Sequence, residues 1–136
     1  MGDLTGKTLG RYRILERLGR GGMAEVYKGY QPALDRTVAV KVLHAFLLIE
    51  TGSRERFQRE AQAVATLHHP NIVQVFDYDV EGDIYFMVME FIAGPNLKQI
   101  LEESAKAGTR LSLERSAEII TAIGGALAYA HRHGLI

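Results

Sequence analysis

Residues 18–26 constrain the fold most strongly, because they place three glycines between two apolar runs that are typical of β-strands. The flanking runs are residues 12–18 and 26–30. A hairpin turn with almost no side chains exposes its backbone N–H groups and can lie close over another molecule. Successive N–H groups in such a turn form a concavity that binds anions. We therefore predict a glycine-rich hairpin that covers a string of phosphates, with a hairpin that binds no ligand as the alternative.

The spacing of Gly19, Gly21 and Ala24 also fits the loose motif of dinucleotide-binding folds. Those folds need a helix directly after the glycines, so that its N-terminus holds the pyrophosphate. Residues 25–30 are instead rich in β-branched and aromatic side chains and are followed by Gln31 and Pro32, which predicts a strand. The order strand, glycines, strand favours a phosphate lid of the kind found in kinases over a dinucleotide-dependent oxidoreductase.

Composition excludes several other classes of function. The chain has 136 residues, of which 47% are hydrophobic and 24% are charged, as in an ordinary globular domain. Lys plus Arg and Asp plus Glu both number 16, so we expect neither nucleic acid nor an anionic membrane as a partner. The absence of cysteine excludes disulfides, cysteine-ligated zinc and a cysteine nucleophile. Because no secretion signal and no apolar run of ~18 residues is present, we expect a cytoplasmic location, with any membrane anchor of a longer parent outside this chain.

The order of the predicted elements indicates an α+β fold. Residues 1–10 are predicted to form a loose leader. The chain then alternates between period-2 and helical patterns, which predict strands at 12–18, 26–30, 36–43, 72–76 and 84–89 and helices at 54–68, 96–106 and 113–133. Residues 81–83 predict a hairpin turn, and Ser112 is expected to cap the last helix. Residues 44–51 fit either a short helix or a buried loop.

Lys41 lies in the strongest predicted strand. A period of two places Val38, Val40 and Val42 on one face of that strand and Ala39 with Lys41 on the other. Ala39 is too small to shield the ammonium group of Lys41. The residues therefore predict a lysine that can reach a ligand, with a lysine whose stem lies along the surface as the alternative.

Glu60 lies in the predicted helix 54–68, within the apolar stripe formed by Phe57, Ala61 and Val64. A buried carboxylate without a cation is destabilising by several kcal/mol. We therefore expect Glu60 to pair with Lys41 and to hold the ammonium group where it reaches a phosphate. The alternative is a helix oriented so that the carboxylate meets water.

Five motifs occur in a fixed order: the glycine-rich stretch 18–27, Val-Ala-Val-Lys at 38–41, Arg-Glu-Ala at 59–61, His-Pro-Asn-Ile-Val at 69–73 and Met-Glu-Phe-Ile at 89–92. With these motifs, residues 10–136 resemble the start of a protein kinase, most closely the bacterial serine/threonine kinases of eukaryotic type. The motifs match the glycine-rich loop, the third-strand lysine, the glutamate of helix C, the segment after that helix, and the gatekeeper with the hinge. Ala24 stands where many members have a third glycine, a position at which the family tolerates a small residue.

The resemblance implies a kinase N-lobe, built from a five-stranded antiparallel sheet and helix C, followed by two helices of a truncated C-lobe. It implies ATP as the cofactor, with Lys41, held by Glu60, as the catalytic contact to the α- and β-phosphates. The Glu90 carbonyl and the Ile92 N–H would bind the adenine edge. The implied nucleotide-binding residues around Lys41 are Leu18, Gly19, Arg20, Gly21, Gly22, Met23, Ala24, Glu25, Val26, Ala39, Val73, Met89, Glu90 and Ile92.

The implied boundaries are a leader at 1–10, the nucleotide-binding N-lobe at 11–92, and the hinge with the first C-lobe helices at 93–136. The H-R-D catalytic loop and the D-F-G motif, which supply the catalytic base and the Mg²⁺ ligands of the family, do not occur in these 136 residues. We therefore expect Mg²⁺ and a protein substrate to bind only in a full-length parent. The chain alone is expected to bind ATP weakly and to have no kinase activity.

The predicted helix 113–133 carries an apolar face of Ile120, Ile123, Leu127 and Ala130. Within these 136 residues that face has little to pack against, so we expect self-association or a partner protein. The alternative function is a non-catalytic, kinase-like module that regulates another chain through protein–protein contacts. The histidines at 68–69 and at 131 and 133 have no third ligand group nearby in the sequence, so no metal site is expected.

Overall fold

The computed structural model describes residues 2–21, 24–44 and 53–135. Its elements, in chain order, are β1 (Thr8–Leu9), β2 (Tyr12–Arg20), β3 (Ala24–Gln31), a 3-10 turn (Pro32–Leu34), β4 (Arg36–His44), α1 (Ser53–Ala65), β5 (Val75–Glu81), β6 (Ile84–Glu90), α2 (Leu97–Lys106) and α3 (Leu113–Arg132). Of the segment 44–51, for which the sequence left two alternatives, His44 ends β4 and the other residues lie outside the described ones.

The strands form one antiparallel sheet in the order β1-β2-β3-β4-β6-β5. The predicted turn at 81–83 is confirmed, since Glu81 pairs with Ile84 and Gly82 has a φ of +58°, which glycine adopts without steric cost. Backbone contacts divide the chain into two units. The first contains the sheet and α1, and comprises the chain up to His68 together with Val73–Phe91; the second comprises His69–Ile72 and the chain from Ile92 onward.

The closed face of the sheet is the face that carries Val38, Val40 and Val42 of β4. These valines belong to an apolar cluster whose other buried members are Leu4, Leu9, Tyr12, Ile14, Tyr27, Phe86 and Val88. The hydroxyl of Tyr12 on β2 donates a 2.7 Å hydrogen bond to the carboxylate of Asp77 on β5. Since three strands separate β2 from β5 in the sheet, this contact requires the sheet to curl around the cluster.

The helix face is the opposite face, which carries Ala39, Lys41 and Leu43 of β4. Helix α1 packs on it through Phe57 and Ala61, in a second cluster with Leu43, Val75, Tyr85 and Met87. The predicted alternation along β4 is therefore confirmed. Removal of the apolar surface of both clusters from water stabilises the first unit.

Residues 2–10 are not the loose leader that the sequence predicted for 1–10. β1 pairs with β2 and adds a sixth strand to the predicted five. Leu4 and Leu9 are buried in the closed-face cluster. The Gly6 N–H donates to the Ile14 carbonyl and the Ile14 N–H donates to the Lys7 carbonyl, both at 2.9 Å. The segment is held because its leucines cover apolar surface that would otherwise meet water.

β5 begins at Val75, whereas the sequence predicted a strand from residue 72. The Ile72 N–H donates to the His69 carbonyl at 3.2 Å and closes a turn. A residue in that turn cannot also join the ladder, so the strand starts later. Helix α1 also ends earlier than predicted, at Ala65.

The second unit contains α2 and α3. Asn96 and Gln99 form a capping box at the start of α2, with both hydrogen bonds at 2.8 Å. The predicted cap of α3 is confirmed, since the Ser112 hydroxyl accepts a hydrogen bond from the Arg115 N–H at 3.0 Å. Among the described helices, none is long and apolar enough to cross a membrane.

Candidate functional site

The glycine-rich hairpin is formed by the end of β2, the start of β3 and the turn between them. Its last register pair is Arg20 with Glu25, and the Gly21 N–H donates to the Ala24 carbonyl at 2.8 Å. One N–H group that was expected to face phosphates is therefore engaged within the hairpin. The predicted contacts of Gly22 and Met23 lie outside the described residues.

Glu25 was predicted as part of the phosphate-binding stretch, but its side chain points to the closed face. The carboxylate accepts a hydrogen bond from the Tyr27 hydroxyl and lies 3.6 Å from the Arg20 guanidinium. The side chain of Arg20 is 66% exposed and that of Glu25 is 10% exposed. Strand alternation explains this placement, because Glu25 and Tyr27 are two residues apart on β3.

Lys41 is half-buried on the helix face, between Val26 of β3 and Met87 of β6. The next row along the strands holds Ala39, paired with Lys28 and Met89. The structure therefore brings Val26, Ala39, Lys41 and Met89 together on one face, which confirms the predicted placement of Ala39 with Lys41. Within the described residues, Lys41 has no ion pair with a carboxylate, so its ammonium group is available to an anionic ligand.

The predicted ion pair between Lys41 and Glu60 is not present. Glu60 instead lies 3.7 Å from the Arg56 guanidinium, one turn earlier on α1, and its side chain is 65% exposed. Helix α1 rests on Phe57 and Ala61, and Glu60 lies on the rim of that stripe rather than at its centre. Hydration at the rim removes the desolvation cost that the prediction assumed. The helix is therefore oriented so that the carboxylate meets water.

Gln74 anchors the end of β6, and it is not among the site residues predicted from the sequence. The Glu90 N–H donates to the Gln74 carbonyl at 2.8 Å, and the Glu90 carboxylate accepts from the Gln74 N–H at 3.1 Å. The Gln74 side chain donates to the Ala65 carbonyl at the end of α1, at 3.5 Å, and to the Val75 carbonyl at 3.1 Å. The signal in the sequence was a single amide inside the apolar run 72–76.

The remaining predicted site residues are largely apolar side chains that water reaches. Leu18 and Val73 of the first unit are 46% and 39% exposed. Ile92 is 59% exposed and belongs to the second unit. On the same face as Lys41, the Lys28 ammonium lies 5.3 Å from the centre of the Phe91 ring, close enough for a cation–π contact.

The chain matches the sequence profile of the protein kinase domain over residues 12–136. It is 41% identical over 141 residues to the serine/threonine-protein kinase PksC of Streptomyces coelicolor, covering 99% of this chain and 25% of that protein. It is 39% identical over 134 residues to the serine/threonine-protein kinase PrkC of Bacillus subtilis, covering 98% of this chain and 20% of that protein.

Solved structures also show similarity to a bacterial kinase domain. The kinase domain of Mycobacterium tuberculosis PknI superposes with a TM-score of 0.82 and 32% identity, over 96% of this chain and 51% of that domain. The chain thus spans a quarter or less of the curated relatives named above and about half of the solved domain.

Proposed function

The chain belongs to the protein kinase family, and we propose that it is the nucleotide-binding part of a serine/threonine kinase that transfers a phosphoryl group from ATP to protein. The observation that carries this proposal is Lys41, half-buried between Val26 and Met87 on the helix face, with no carboxylate partner among the described residues. A cation held in this way, near a glycine-rich hairpin, is suited to bind the α- and β-phosphates of a nucleotide.

The proposed adenine contacts come from the end of β6 and the apolar residues around it. The Glu90 carbonyl and the Ile92 N–H would bind the adenine edge. Leu18, Val26, Ala39, Val73 and Met89 would contact the ring. Exposed apolar side chains such as Leu18 and Val73 support this part of the proposal, because a bound base would remove their surface from water.

Glu60 is proposed to exchange partners when the catalytic site is assembled, leaving Arg56 and pairing with Lys41. An exposed i,i+4 pair contributes only about 0.3–0.5 kcal/mol, so the pair with Arg56 opposes the exchange weakly. Arg56→Ala should therefore change ATP affinity by no more than about twofold. A tenfold loss would contradict the exchange.

These 136 residues are proposed to be inactive by themselves. Mg²⁺ neutralises the charge that develops during phosphoryl transfer, and the family's Mg²⁺ ligands lie in motifs that this sequence lacks. We expect the purified chain to phosphorylate no generic protein substrate, and measurable phosphate incorporation would refute this. Because the proposed cofactor is ATP, the proposed location is the cytoplasm.

A thermal-shift experiment tests nucleotide binding. Millimolar ATP with Mg²⁺ should raise the melting temperature of the chain and NAD should not, because only a ligand that binds the folded state stabilises it. Lys41→Met should remove the ATP effect. Lys28→Met is the matched control, since it removes a lysine from the same face and leaves Lys41 in place. Equal shifts with NAD, or an unchanged ATP shift in Lys41→Met, would contradict the proposal.

A non-catalytic module remains the second candidate, because α3 exposes large apolar side chains. Leu113, Ile120, Ile123 and Leu127 are 89%, 70%, 49% and 53% exposed. Ala130 is the one buried residue of the predicted apolar face, and Ala126, which was not part of that face, is also buried. Sedimentation at high concentration tests this candidate. Association that Ile120→Glu abolishes would support it, and a monomer at all concentrations would count against self-association.

A further inference from the structure

We propose that Glu25 and Tyr27 are positioning residues of the glycine-rich hairpin, through which the N-terminal segment 2–9 restrains the two strand ends that flank the turn. Neither side chain lies on the helix face, so neither touches a nucleotide bound there. Both act from the closed face, behind the hairpin. The inference rests on the proposed nucleotide-binding function. It adds that contacts on the closed face restrain the strand ends from which the phosphate-binding turn extends.

Tyr27 connects the N-terminal segment to the hairpin. Its side chain is fully buried in the closed-face cluster. Its hydroxyl accepts a hydrogen bond from the Leu4 N–H at 3.3 Å and donates one to the Glu25 carboxylate. Leu4 is itself buried, and the Gly6 N–H ties the segment to β2 through the Ile14 carbonyl. The contact to Tyr27 is therefore made by an ordered part of the first unit.

Glu25 carries the restraint to the end of the hairpin. Among the described residues it is the one buried acidic residue, with 8% of its total surface exposed. A carboxylate in such a place destabilises the fold unless hydrogen bonds and a cation compensate it. The Tyr27 hydroxyl supplies the hydrogen bond, and Arg20, the register partner of Glu25 on β2, supplies the cation. Glu25 thus links the last paired residues of both strands, directly beside the Gly21–Ala24 hydrogen bond.

This arrangement predicts a selective effect on phosphate binding. Backbone donors that are ordered before a ligand arrives lose less conformational entropy on binding than donors that the ligand must order. Weakening the restraint should therefore reduce affinity for the phosphates. The proposed adenine contacts at Glu90 lie at the end of β6, two strands away from β3. The proposed ring contacts of Leu18 and Val26 are made by apolar side chains and not by backbone donors, so adenosine should be affected much less than the phosphates.

The sequence offers a matched control in Tyr12, a second buried tyrosine of the closed face whose hydroxyl also donates to a carboxylate, that of Asp77. The experiment compares Tyr27→Phe with Tyr12→Phe in the 136-residue chain. Binding of ATP, inorganic tripolyphosphate and adenosine is measured for each by NMR titration. Melting temperatures report the loss of stability, which a purely structural role would also cause.

Tyr27→Phe should weaken ATP and tripolyphosphate about fivefold, as expected for one lost hydrogen bond, and should change adenosine affinity less than about twofold. Tyr12→Phe should lower the melting temperature and leave all three affinities unchanged. Unchanged phosphate affinity in Tyr27→Phe, or the same selective loss in Tyr12→Phe, would overturn the inference. A wild-type chain that binds ATP no better than adenosine would instead overturn the proposed function, and this inference with it.

Carboxylate variants keep the test decisive if Tyr27→Phe fails to fold. Glu25→Gln retains an oxygen that accepts from the Tyr27 hydroxyl and loses only the charge that faces Arg20. Asp77→Asn makes the equivalent change beside Tyr12. Glu25→Leu should reproduce the selective phosphate loss, with partial rescue in Glu25→Gln and no selective loss in Asp77→Asn. Equal binding by all three variants would overturn the inference.

Discussion

The two faces of the curled sheet differ in how they treat polar groups. On the closed face, each buried polar side chain that the structure describes has a partner: Tyr12 has Asp77, Tyr27 has Glu25, and Gln31 accepts a 2.8 Å hydrogen bond from Arg36. On the helix face, Lys41 is half-buried without an ion pair among the described residues, and Glu60 is exposed. The closed face therefore satisfies its buried polar groups internally, whereas the helix face keeps a cation available to a ligand.

The largest predicted difference between the faces is in core truncation. Phe86 is fully buried on the closed face, so Phe86→Ala should lower the free energy of unfolding by about 3–5 kcal/mol. Met89 on the helix face is half-buried, and Met89→Ala should cost about 1–2 kcal/mol. Urea unfolding measures both values. Equal losses would show that the difference in burial between Phe86 and Met89 does not set their contributions to stability.

Two glycines of β2 and β3 give the next largest contrast. A Cβ added at Gly29 would meet the Val40 side chain at 3.0 Å and the Val38 side chain at 3.3 Å, whereas one added at Gly19 meets no atom within 4 Å. Gly29→Ala should therefore destabilise the chain by about 1–3 kcal/mol. Gly19→Ala should change stability by less than about 0.5 kcal/mol. Thermal unfolding of both variants tests the packing of the closed face; a tolerated Gly29→Ala would show that it is loosely packed.

Alkaline pH should affect the closed face through Tyr12. Burial and the hydrogen bond to Asp77 raise the pKa of Tyr12 from 10.0 to about 12. A pKa that is higher in the folded state gives stability that is complete below the unfolded pKa and is lost as pH rises through the folded one. Between about pH 9 and about pH 11, Tyr12 should account for a loss of about 1.4 kcal/mol. Tyr12→Phe should lack this component, and identical pH profiles for both proteins would contradict it.

Glu90 gives the smallest expected effect. It combines a structural role of its side chain with a proposed binding role of its backbone. Its side chain accepts from the Gln74 N–H, while its backbone is proposed to bind adenine. Glu90→Leu leaves that N–H without its acceptor and should cost about 1 kcal/mol, whereas Glu90→Gln keeps an acceptor oxygen and should cost less. Chemical denaturation separates the two variants, and equal costs would show that the hydrogen bond is not the cause.

Features that depend on local pattern could be predicted from the sequence. The alternation of β4 was predictable because Val38, Val40 and Val42 are large and Ala39 is small, so only one face could be the sheet core. The hairpin at Gly82 and the cap at Ser112 follow from turn and cap chemistry of a few residues. Lys41 was identified for the same reason, as the one charge in the apolar run 38–43.

Features that depend on tertiary packing could not be predicted from the sequence. Periodicity placed Glu60 within an apolar stripe but does not distinguish the centre of a stripe from its rim, which decides whether water reaches the carboxylate. Leu4 and Leu9 are separated by glycine, threonine and lysine, so no period marked them as core. The closed-face role of Glu25 depends on Tyr27 and on the N-terminal segment, neither of which a local motif contains.

Methyl NMR on the 136-residue chain tests whether nucleotide binds to the helix face and not to the closed face. ATP with Mg²⁺ is titrated while the methyl signals of Val26 and Met89, on the helix face, are followed beside those of Val38 and Val88, on the closed face. The signals of Val26 and Met89 should shift with saturation, and those of Val38 and Val88 should not. Shifts confined to the closed face, or none on either face at saturating ATP, would contradict it.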